Sequence, residues 1–403
     1  MIKLRKEGIQ AAKKTEKVLR RQAVVRQPSP RDWIWHLRQG ECIAFQGSWL
    51  YQFPRIVCQV THVLHFNGSL GAAIVENPMF VMRQLTESFF SQTLTTLCVE
   101  DIANVPLPLF LICPRLREVV LEWVGAADKS YDKYPISQCS GREAPLLEVV
   151  KLRSSHTLVE QMIVPPPRFN TPVVLWSKLR VLTLAPGGEE GMASLQPILD
   201  AACNTLEELY LITSSKWGVF DYTKRINKFF KPAQQFSLAG HVNLSNLPNL
   251  KAFSLYAVVI CKPPRRYLAS RSAPPFAVLH DINIVLGTIP KSNKLTNLFF
   301  HIVIFGKRPF RGCLGQDWVG IFNEVIRIGD RKPLELEFGM SVSTDEVSEI
   351  EHPGQDELYM RIMEKAVLLS EHSNVCIHWR NSTFWDRNIG PPPSGQVRTR
   401  CRK

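Results

Sequence analysis

The chain lacks most of the short motifs that mark the common enzyme classes. Its ten cysteines lie at least 15 residues apart, so it has no C-x-x-C pair and no zinc-ribbon or thioredoxin spacing. It also has no G-x-S-x-G elbow, no P-loop and no G-x-G-x-x-G segment. From these absences we expect no catalytic residue, no metal site and no cofactor.

A long apolar run is also missing. No uninterrupted apolar stretch reaches about 18 residues, the length that a membrane-spanning helix needs, and no signal-type apolar region follows the start. Scattered cysteines without a disulfide-like spacing are typical of a reduced compartment. We therefore expect no membrane partner and a cytoplasmic or nuclear location.

The folded body has no net charge, because the formal charge of +13 lies in the two ends. Residues 1–31 hold ten basic and two acidic side chains, and residues 387–403 hold five basic and none acidic. Residues 32–386 carry 34 side chains of each sign. We predict that 1–31 is a flexible basic segment and that 387–403 is a disordered basic tail. We do not expect nucleic acid as the main partner, because a basic field is confined to these two segments.

One pattern, L-x-x-L-x-L with conservative replacements, recurs along the body. Its successive starts are 22, 31, 32, 27, 44 and 45 residues apart. The units begin at Leu94, Leu116, Leu147, Leu179, Leu206, Leu250 and Leu295. The last two apolar positions of each unit are two residues apart, which places them on one face of a short strand.

Segments with helical periodicity separate these predicted strands, as in 72–91, 192–204 and 275–289. Strands joined by helical crossovers form a parallel sheet. We predict closing strands at 333–338 and 375–379, with a helix at 356–370 between them. The first strand is predicted within 56–66, and the Trp-rich segment 32–54 is predicted to cap the array.

Three residues before most leading leucines stands a side chain that is usually buried. Cys113 and Cys203 take the position that Ala144 and Leu247 take in other units. We predict that these two cysteines pack as small apolar side chains and are not reactive thiols.

The segment 93–124, with its strand, Pro-containing connector, short helix and Cys-Pro-x-Leu, is the most characteristic unit. It resembles the repeat region of fungal-type F-box/leucine-rich-repeat proteins, and the likeness of pattern extends over 56–379. The resemblance implies an α/β fold, an irregular leucine-rich-repeat solenoid of short parallel strands alternating with helices. We predict that the repeat array, together with its N-terminal cap, occupies residues 32–386.

Two departures from that family pattern stand out. The Asn or Cys that usually follows each strand is replaced, for example by Val124 and Ser155, and no F-box is visible in residues 1–55. The resemblance implies a non-catalytic module that binds another protein, like the substrate-recognition arm of a ubiquitin ligase. A ubiquitin-ligase adaptor is an expected partner only if a disguised F-box exists.

Side chains between the apolar anchors are expected to line an exposed, concave binding surface. Tyr and Arg are frequent interface hot spots, so Arg153, Tyr210 and Tyr256 are the leading contact candidates. The predicted binding residues are Glu100, Glu122, Lys151, Arg153, Tyr210, Tyr256, Phe299 and His301. Two alternatives remain open: a nucleic-acid-associated protein that uses its basic tails, and a hydrolase whose Cys and His come from distant parts of the chain.

Overall fold

All seven L-x-x-L-x-L units form β-strands. A computed structural model describes residues 42–46, 63–67, 73–74, 92–100, 102–103, 105–126, 143–167, 169, 172–186, 189–213, 237–260, 277–305, 317–343, 355–372 and 374–381. The predicted terminal segments 1–31 and 387–403 lie outside these residues. The strands are β1 Cys42–Gln46, β2 Val63–Asn67, β3 Ala73–Ile74, β4 Thr96–Glu100, β5 Ile102–Ala103, β6 Glu118–Glu122, β7 Val149–Arg153, β8 Val181–Ala185, β9 Glu208–Ile212, β10 Ala252–Ile260, β11 Asn297–Phe305, β12 Leu334–Ser343 and β13 Val375–Asn381.

Eleven of these strands form one sheet in which every neighbouring pair is parallel. Its order is β1, β2, β4 and then β6 to β13 in sequence, while β3 and β5 pair separately. Each strand therefore lies beside the next one in the chain, which is the simplest arrangement of a strand–crossover–strand repeat. The fold is α/β, and its repeated strand-and-crossover order is compatible with a solenoid.

Among the described residues, helices lie in six of the crossovers between strands. They are α1 Pro108–Leu111, α2 His156–Ile163, α3 Glu189–Ala193, α4 Leu195–Ala201, α5 Ala277–Gly287, α6 Trp318–Gly329, α7 Gln355–Lys365 and α8 Val367–Ser370. Within the described part of the chain, no helix is long and apolar enough to cross a membrane. The helices predicted at 192–204, 275–289 and 356–370 are confirmed.

Helix α6 illustrates how a crossover packs. Its buried residues recur every three or four positions, which places them on one helix face, and Asp317 caps its start by accepting a hydrogen bond from the Gly320 amide at 2.8 Å. Trp318 is fully buried and meets Phe338 of β12 edge-on, with ring centroids 5.7 Å apart. The apolar stripe of the helix therefore joins the apolar face of the sheet in one core.

The core follows the repeat across the strands. Parallel register places the second apolar residue of every unit in one row, and each member of that row is at most 1 % exposed. The row is Leu97, Val119, Val150, Leu182, Leu209, Phe253, Leu298 and Leu336. A second row, two residues further along each strand, is buried in the same way.

A ladder of main-chain carbonyls fixes this register. The carbonyl of the residue after each leading leucine accepts hydrogen bonds from two successive amides of the next unit, as Arg180 does from Glu207 and Glu208 at 2.8 and 2.9 Å. We call these residues the carbonyl ladder: Thr95, Arg117, Glu148, Arg180, Glu207 and Lys251. The same bifurcated contact thus recurs from β4 to β11.

Three sequence expectations need correction. The first strand is not within 56–66 but at β1, inside the segment predicted to be only a cap, and β2 follows at Val63–Asn67. Part of the expected helix 72–91 is the short strand β3. Strands β10, β11 and β12 are nine, nine and ten residues long instead of about five, because apolar residues continue past the repeat in each.

The buried cysteine position is confirmed. Cys113 is fully buried in the core, and Cys203 is half-buried and packed against it. These thiols take the place of a small apolar side chain at the end of a crossover.

We expect Leu182→Ala to lower the free energy of unfolding by about 2–5 kcal/mol, because it leaves a cavity in the fully buried row of the sheet. Val181→Ala, one residue earlier and half-buried on the other sheet face, is the matched control and should cost less. Urea unfolding followed by circular dichroism measures both. Equal losses for the two variants would contradict the assignment of the faces.

Candidate functional site

The side of the sheet away from the helices carries the predicted binding residues. We call this side, formed by alternate residues of β4 and β6 to β13, the outward face. Its middle row consists of Cys98, Val120, Lys151, Thr183, Tyr210, Ser254, Phe299, Glu337 and His378. The structure brings all eight predicted residues onto this one face, in consecutive strands except for β8, which contributes none.

The acidic start and basic middle of this face neutralise each other. Arg153 Nη1 lies 3.2 Å from Glu122 Oε2, and Lys151 Nζ lies 3.6 Å from Glu118 Oε1, each pair bridging β6 and β7. Glu100 lies directly opposite Glu122 on β4. These pairs are a quarter to a third exposed, so their net effect on stability is small.

Arg153 also contacts an aromatic residue that the sequence did not single out. Its guanidinium carbon lies 5.7 Å from the centroid of the Trp123 ring, and its Nη2 is buried without a hydrogen-bond partner. Trp123 is 38 % exposed and has a φ of 58°, in the left-handed region that bulky residues seldom adopt. No sequence signal identifies such a tryptophan, because its backbone conformation is set by the turn after β6.

A serine hydroxyl replaces the missing asparagine at one turn. The buried Ser155 Oγ accepts a hydrogen bond from the Val124 amide at 3.1 Å and donates to the Arg153 carbonyl at 2.8 Å. The Ser155 hydroxyl therefore connects the ends of β6 and β7 by hydrogen bonds to main-chain atoms of both. Ser154, just before it, has a φ of 47°, so this turn matches that of Trp123.

The two tyrosines expected to be exposed are buried. Tyr210 and Tyr256 each keep only 8 % of their surface accessible. Tyr210 donates a 2.7 Å hydrogen bond to Glu208 Oε2, and burial together with this carboxylate raises the pKa of the phenol. Burial also raises the pKa of Tyr256. Both hydroxyl-bearing rings therefore belong to the packing of the face more than to its accessible surface.

Tyr256 and His301 form a stacked pair across β10 and β11. Their ring centroids are 4.8 Å apart and their planes differ by 13°. Gly339 is the next residue in this row, and a Cβ there would come within 2.9 Å of His301 Nδ1. The glycine leaves room for the imidazole. His301 and Phe299 are half-buried and remain accessible.

Charged side chains of the carbonyl ladder form a second ordered row at the start of the strands. The signs alternate from Arg117 to Lys251. Arg117 pairs with Glu148 at 3.0 Å, and Glu207 pairs with both Arg180 at 3.0 Å and Lys251 at 3.2 Å. The hydrogen bond from Arg180 is the main cause that lowers the pKa of Glu207.

The structure brings one cysteine and one histidine into contact. Cys376 Sγ lies 3.5 Å from His378 Nε2 on β13. Residues two apart on a strand share a face, so strand geometry alone accounts for this contact. Among the described residues, no three His, Cys, Asp or Glu side chains come together as around a metal ion.

Comparison of the chain with family models, with curated proteins and with solved structures finds no match. The chemistry of the outward face is therefore the basis for a function. That face combines paired charges and an Arg–Trp contact at β6 and β7 with two accessible rings, Phe299 and His301, on β11 of the same sheet.

We expect Glu207→Gln to lower the free energy of unfolding by less than about 1 kcal/mol, because Arg180 and Lys251 lose an exposed ion-pair partner. The loss should shrink in 0.5 M salt. Because the folded-state pKa of Glu207 is lowered, its contribution is present above the ordinary pKa of about 4.5 and is lost as the pH falls below it. Urea unfolding at pH 7 and pH 3, with Glu160→Gln as an exposed control, measures this. A loss that is the same at both pH values would contradict the ion-pair origin.

Tyr210 and Tyr256, among the eight tyrosines of the chain, should ionise above the ordinary pKa of a phenol. Since the folded state raises the pKa of Tyr210 and Tyr256, the stability they contribute is complete below pH about 10 and is lost as the pH rises further. We expect Tyr256→Phe to reduce the fall in unfolding free energy between pH 9 and pH 11. Absorbance at 295 nm follows ionisation, with urea-unfolded protein as the reference. Ionisation of all eight tyrosines near pH 10 in the folded chain would disprove this.

Proposed function

We propose that this chain is a non-catalytic protein-binding module whose outward face contacts the partner. The observation that carries the proposal is the asymmetry of the sheet. Helices bury one side in the core, while the other side presents polar, charged and aromatic side chains in regular rows, most of them half-buried and some, such as Tyr210 and Tyr256, buried. Repeat proteins use such extended surfaces for binding.

The composition of the outward face supports protein recognition over small-molecule chemistry. Arg153, which lies over the exposed Trp123 ring, and this tryptophan are residue types that dominate interface energetics, and Phe299 adds a second accessible ring four strands from Arg153. The main charged pairs of β6 and β7 are already formed. A partner that covers them therefore leaves no charge of either pair without its counterpart.

The finer form of the proposal follows from the family resemblance. A leucine-rich-repeat array that binds a protein through its strand face would correspond to the substrate-recognition arm of an F-box ubiquitin ligase. The repeat spacing, the parallel sheet and the Cys-Pro-x-Leu turn at Cys113 support this form. Of residues 1–55, the structure describes only 42–46, so the form of any adaptor-binding segment there lies outside the described residues.

Quantitative affinity capture tests the proposal with the full chain as bait. The bait variants are Phe299→Ala on the outward face and Val164→Ala, which changes a 70 % exposed side chain just after helix α2. Both remove an accessible apolar group, so they are matched in chemistry. We expect at least one captured protein to fall about tenfold with Phe299→Ala and to stay unchanged with Val164→Ala.

Equal capture by both variants would contradict a binding role for the outward face. The same experiment addresses the ligase form. Recovery of the small adaptor of F-box ligases with the wild type and with both variants would support it, because the adaptor should bind away from the repeats. Absence of the adaptor from every capture would contradict the ligase form of the proposal but not the protein-binding role of the outward face.

A further inference from the structure

The starts of the strands carry an excess of positive charge that the zero net charge of the body conceals. Each of the seven leading leucines is buried, and one side chain stands just before it and one just after it. Six of these fourteen side chains are basic and exposed, and two are acidic and half-buried. We call them the strand-start edge: Thr93, Thr95, Arg115, Arg117, Leu146, Glu148, Lys178, Arg180, Thr205, Glu207, Asn249, Lys251, Lys294 and Thr296.

The two glutamates of this edge do not balance the basic side chains. Glu148 pairs with Arg117, while Glu207 is shared between Arg180 and Lys251. The cations stand further out than the carboxylates, because the side chains of Arg117, Arg180 and Lys251 are 54–66 % exposed and those of the glutamates are 25–38 % exposed. A covering surface therefore meets the positive groups first.

The other three basic side chains of the edge have no acidic partner among the described residues. Arg115 and Lys178 make no ion pair or hydrogen bond with them. Lys294 Nζ donates a 2.8 Å hydrogen bond to Asn249 Oδ1, which carries no charge. Three positive charges are thus left without a counterpart.

Neither the fold nor the outward face accounts for these charges. The register is held by main-chain carbonyls, and exposed ion pairs add little to stability. The glutamates that begin the outward face beside this edge are already engaged, Glu118 by Lys151 and Glu208 by the hydroxyl of Tyr210. The positive charge of the strand-start edge is therefore available to a binding partner.

The basic side chains recur with a regular spacing. Arg117, Arg180 and Lys251 belong to the units of β6, β8 and β10, so one strand lies between each of these units and the next. Neighbouring strands are about 4.8 Å apart, which places the basic units roughly 10 Å from one another. Glu148 and Glu207 occupy the units in between.

This spacing matches that of an α-helix laid along the edge. Residues seven positions apart in a helix lie on nearly the same face, about 10.5 Å from each other. A helix with acidic residues at this interval would place a carboxylate over each basic unit. The turn between two such carboxylates would cover Glu148 or Glu207 without adding negative charge there.

Nucleic acid fits the edge less well. A continuous phosphate backbone would meet the carboxylates of Glu148 and Glu207 between the basic units. None of the fourteen side chains is aromatic, so unpaired bases would have no ring to stack on. The edge therefore favours an acidic helix over a nucleic-acid strand.

We propose that the strand-start edge is a second docking surface, which binds an acidic α-helix of a partner protein whose carboxylates recur every two turns. Charge complementarity and the strand spacing select this kind of partner. The docking does not depend on the proposed function, because it uses the start of the strands and not the outward face.

Fluorescence anisotropy with the full chain and a labelled probe tests the docking. The probe is an alanine-based helical peptide in which pairs of adjacent glutamates recur every seven residues. The control peptide has the same composition, but its pairs recur every five residues and so lie on different helix faces. We expect the first peptide to bind about tenfold more tightly at 20 mM salt and the difference to shrink at 0.5 M. Equal affinities of the two peptides would overturn the proposal.

A charge-reversal variant locates the binding. Arg115→Glu/Lys178→Glu changes two exposed residues without ion-pair partners, so its thermal melting should match that of the wild type. It replaces two attractions by two repulsions and should lower the affinity for the seven-residue-spaced peptide about tenfold. The matched control Lys13→Glu/Lys14→Glu makes the same change of charge in the basic segment 1–31 and should leave the affinity unchanged.

Two further outcomes would contradict the proposal. One is a loss of peptide binding in the control variant at least as large as in the edge variant, because the basic segment 1–31 would then carry the binding. The other is binding of a labelled DNA duplex that falls in the edge variant while peptide binding does not. Phe299→Ala should leave peptide affinity unchanged, so failure of this test is distinguishable from failure of the capture test.

Discussion

Six main-chain carbonyls, one in each of six successive repeat units, fix the register of the strands from β4 to β11. Each residue of the carbonyl ladder accepts two amides from the next unit at 2.7–3.1 Å, whatever the length of the crossover between them. A slip of one residue would exchange the two faces of a strand, and the apolar rows would then meet water. The buried rows, the charged row of the ladder and the outward face all depend on this contact. It uses main-chain atoms, so the side chains at these positions are free to vary.

The ladder explains why so much of the fold is predictable from the leucine pattern. The pattern located the seven strands from β4 to β11 apart from the short β5, and the closing strands β12 and β13 followed from shorter versions of it. The lengths of β10 to β12 were not predictable. The apolar residues that extend β10 and β11, 257–260 and 302–305, continue without a break, and such runs do not reveal where a strand ends. Strand β1 was missed because its sequence, CIAFQ, has no leading leucine.

The sequence predicts which side chains point to the outward face, but it does not predict which of them are accessible. The direction of the side chains was predictable, because the alternation of residues along a strand decides which side chains face away from the core. The accessibility of the side chains was not predictable, since Tyr210 and Tyr256 lie on the outward face and are nevertheless buried. The ion pair of Glu122 with Arg153 joins residues 31 positions apart and becomes visible only when the register is known. The role of Trp123 was beyond reach for the same reason, because its ring lies under an arginine of the next unit.

The two halves of the outward face place different demands on whatever covers them. On β6 and β7 each charge already has its counterpart, so a neutral surface can cover them without leaving an unpaired ion. On β12, Glu335 has no such counterpart among the described side chains, and burying it requires that the covering surface bring positive charge. Selectivity between partners would then come from the β12 half, because a wrong charge there costs more than a missing contact on β6 and β7.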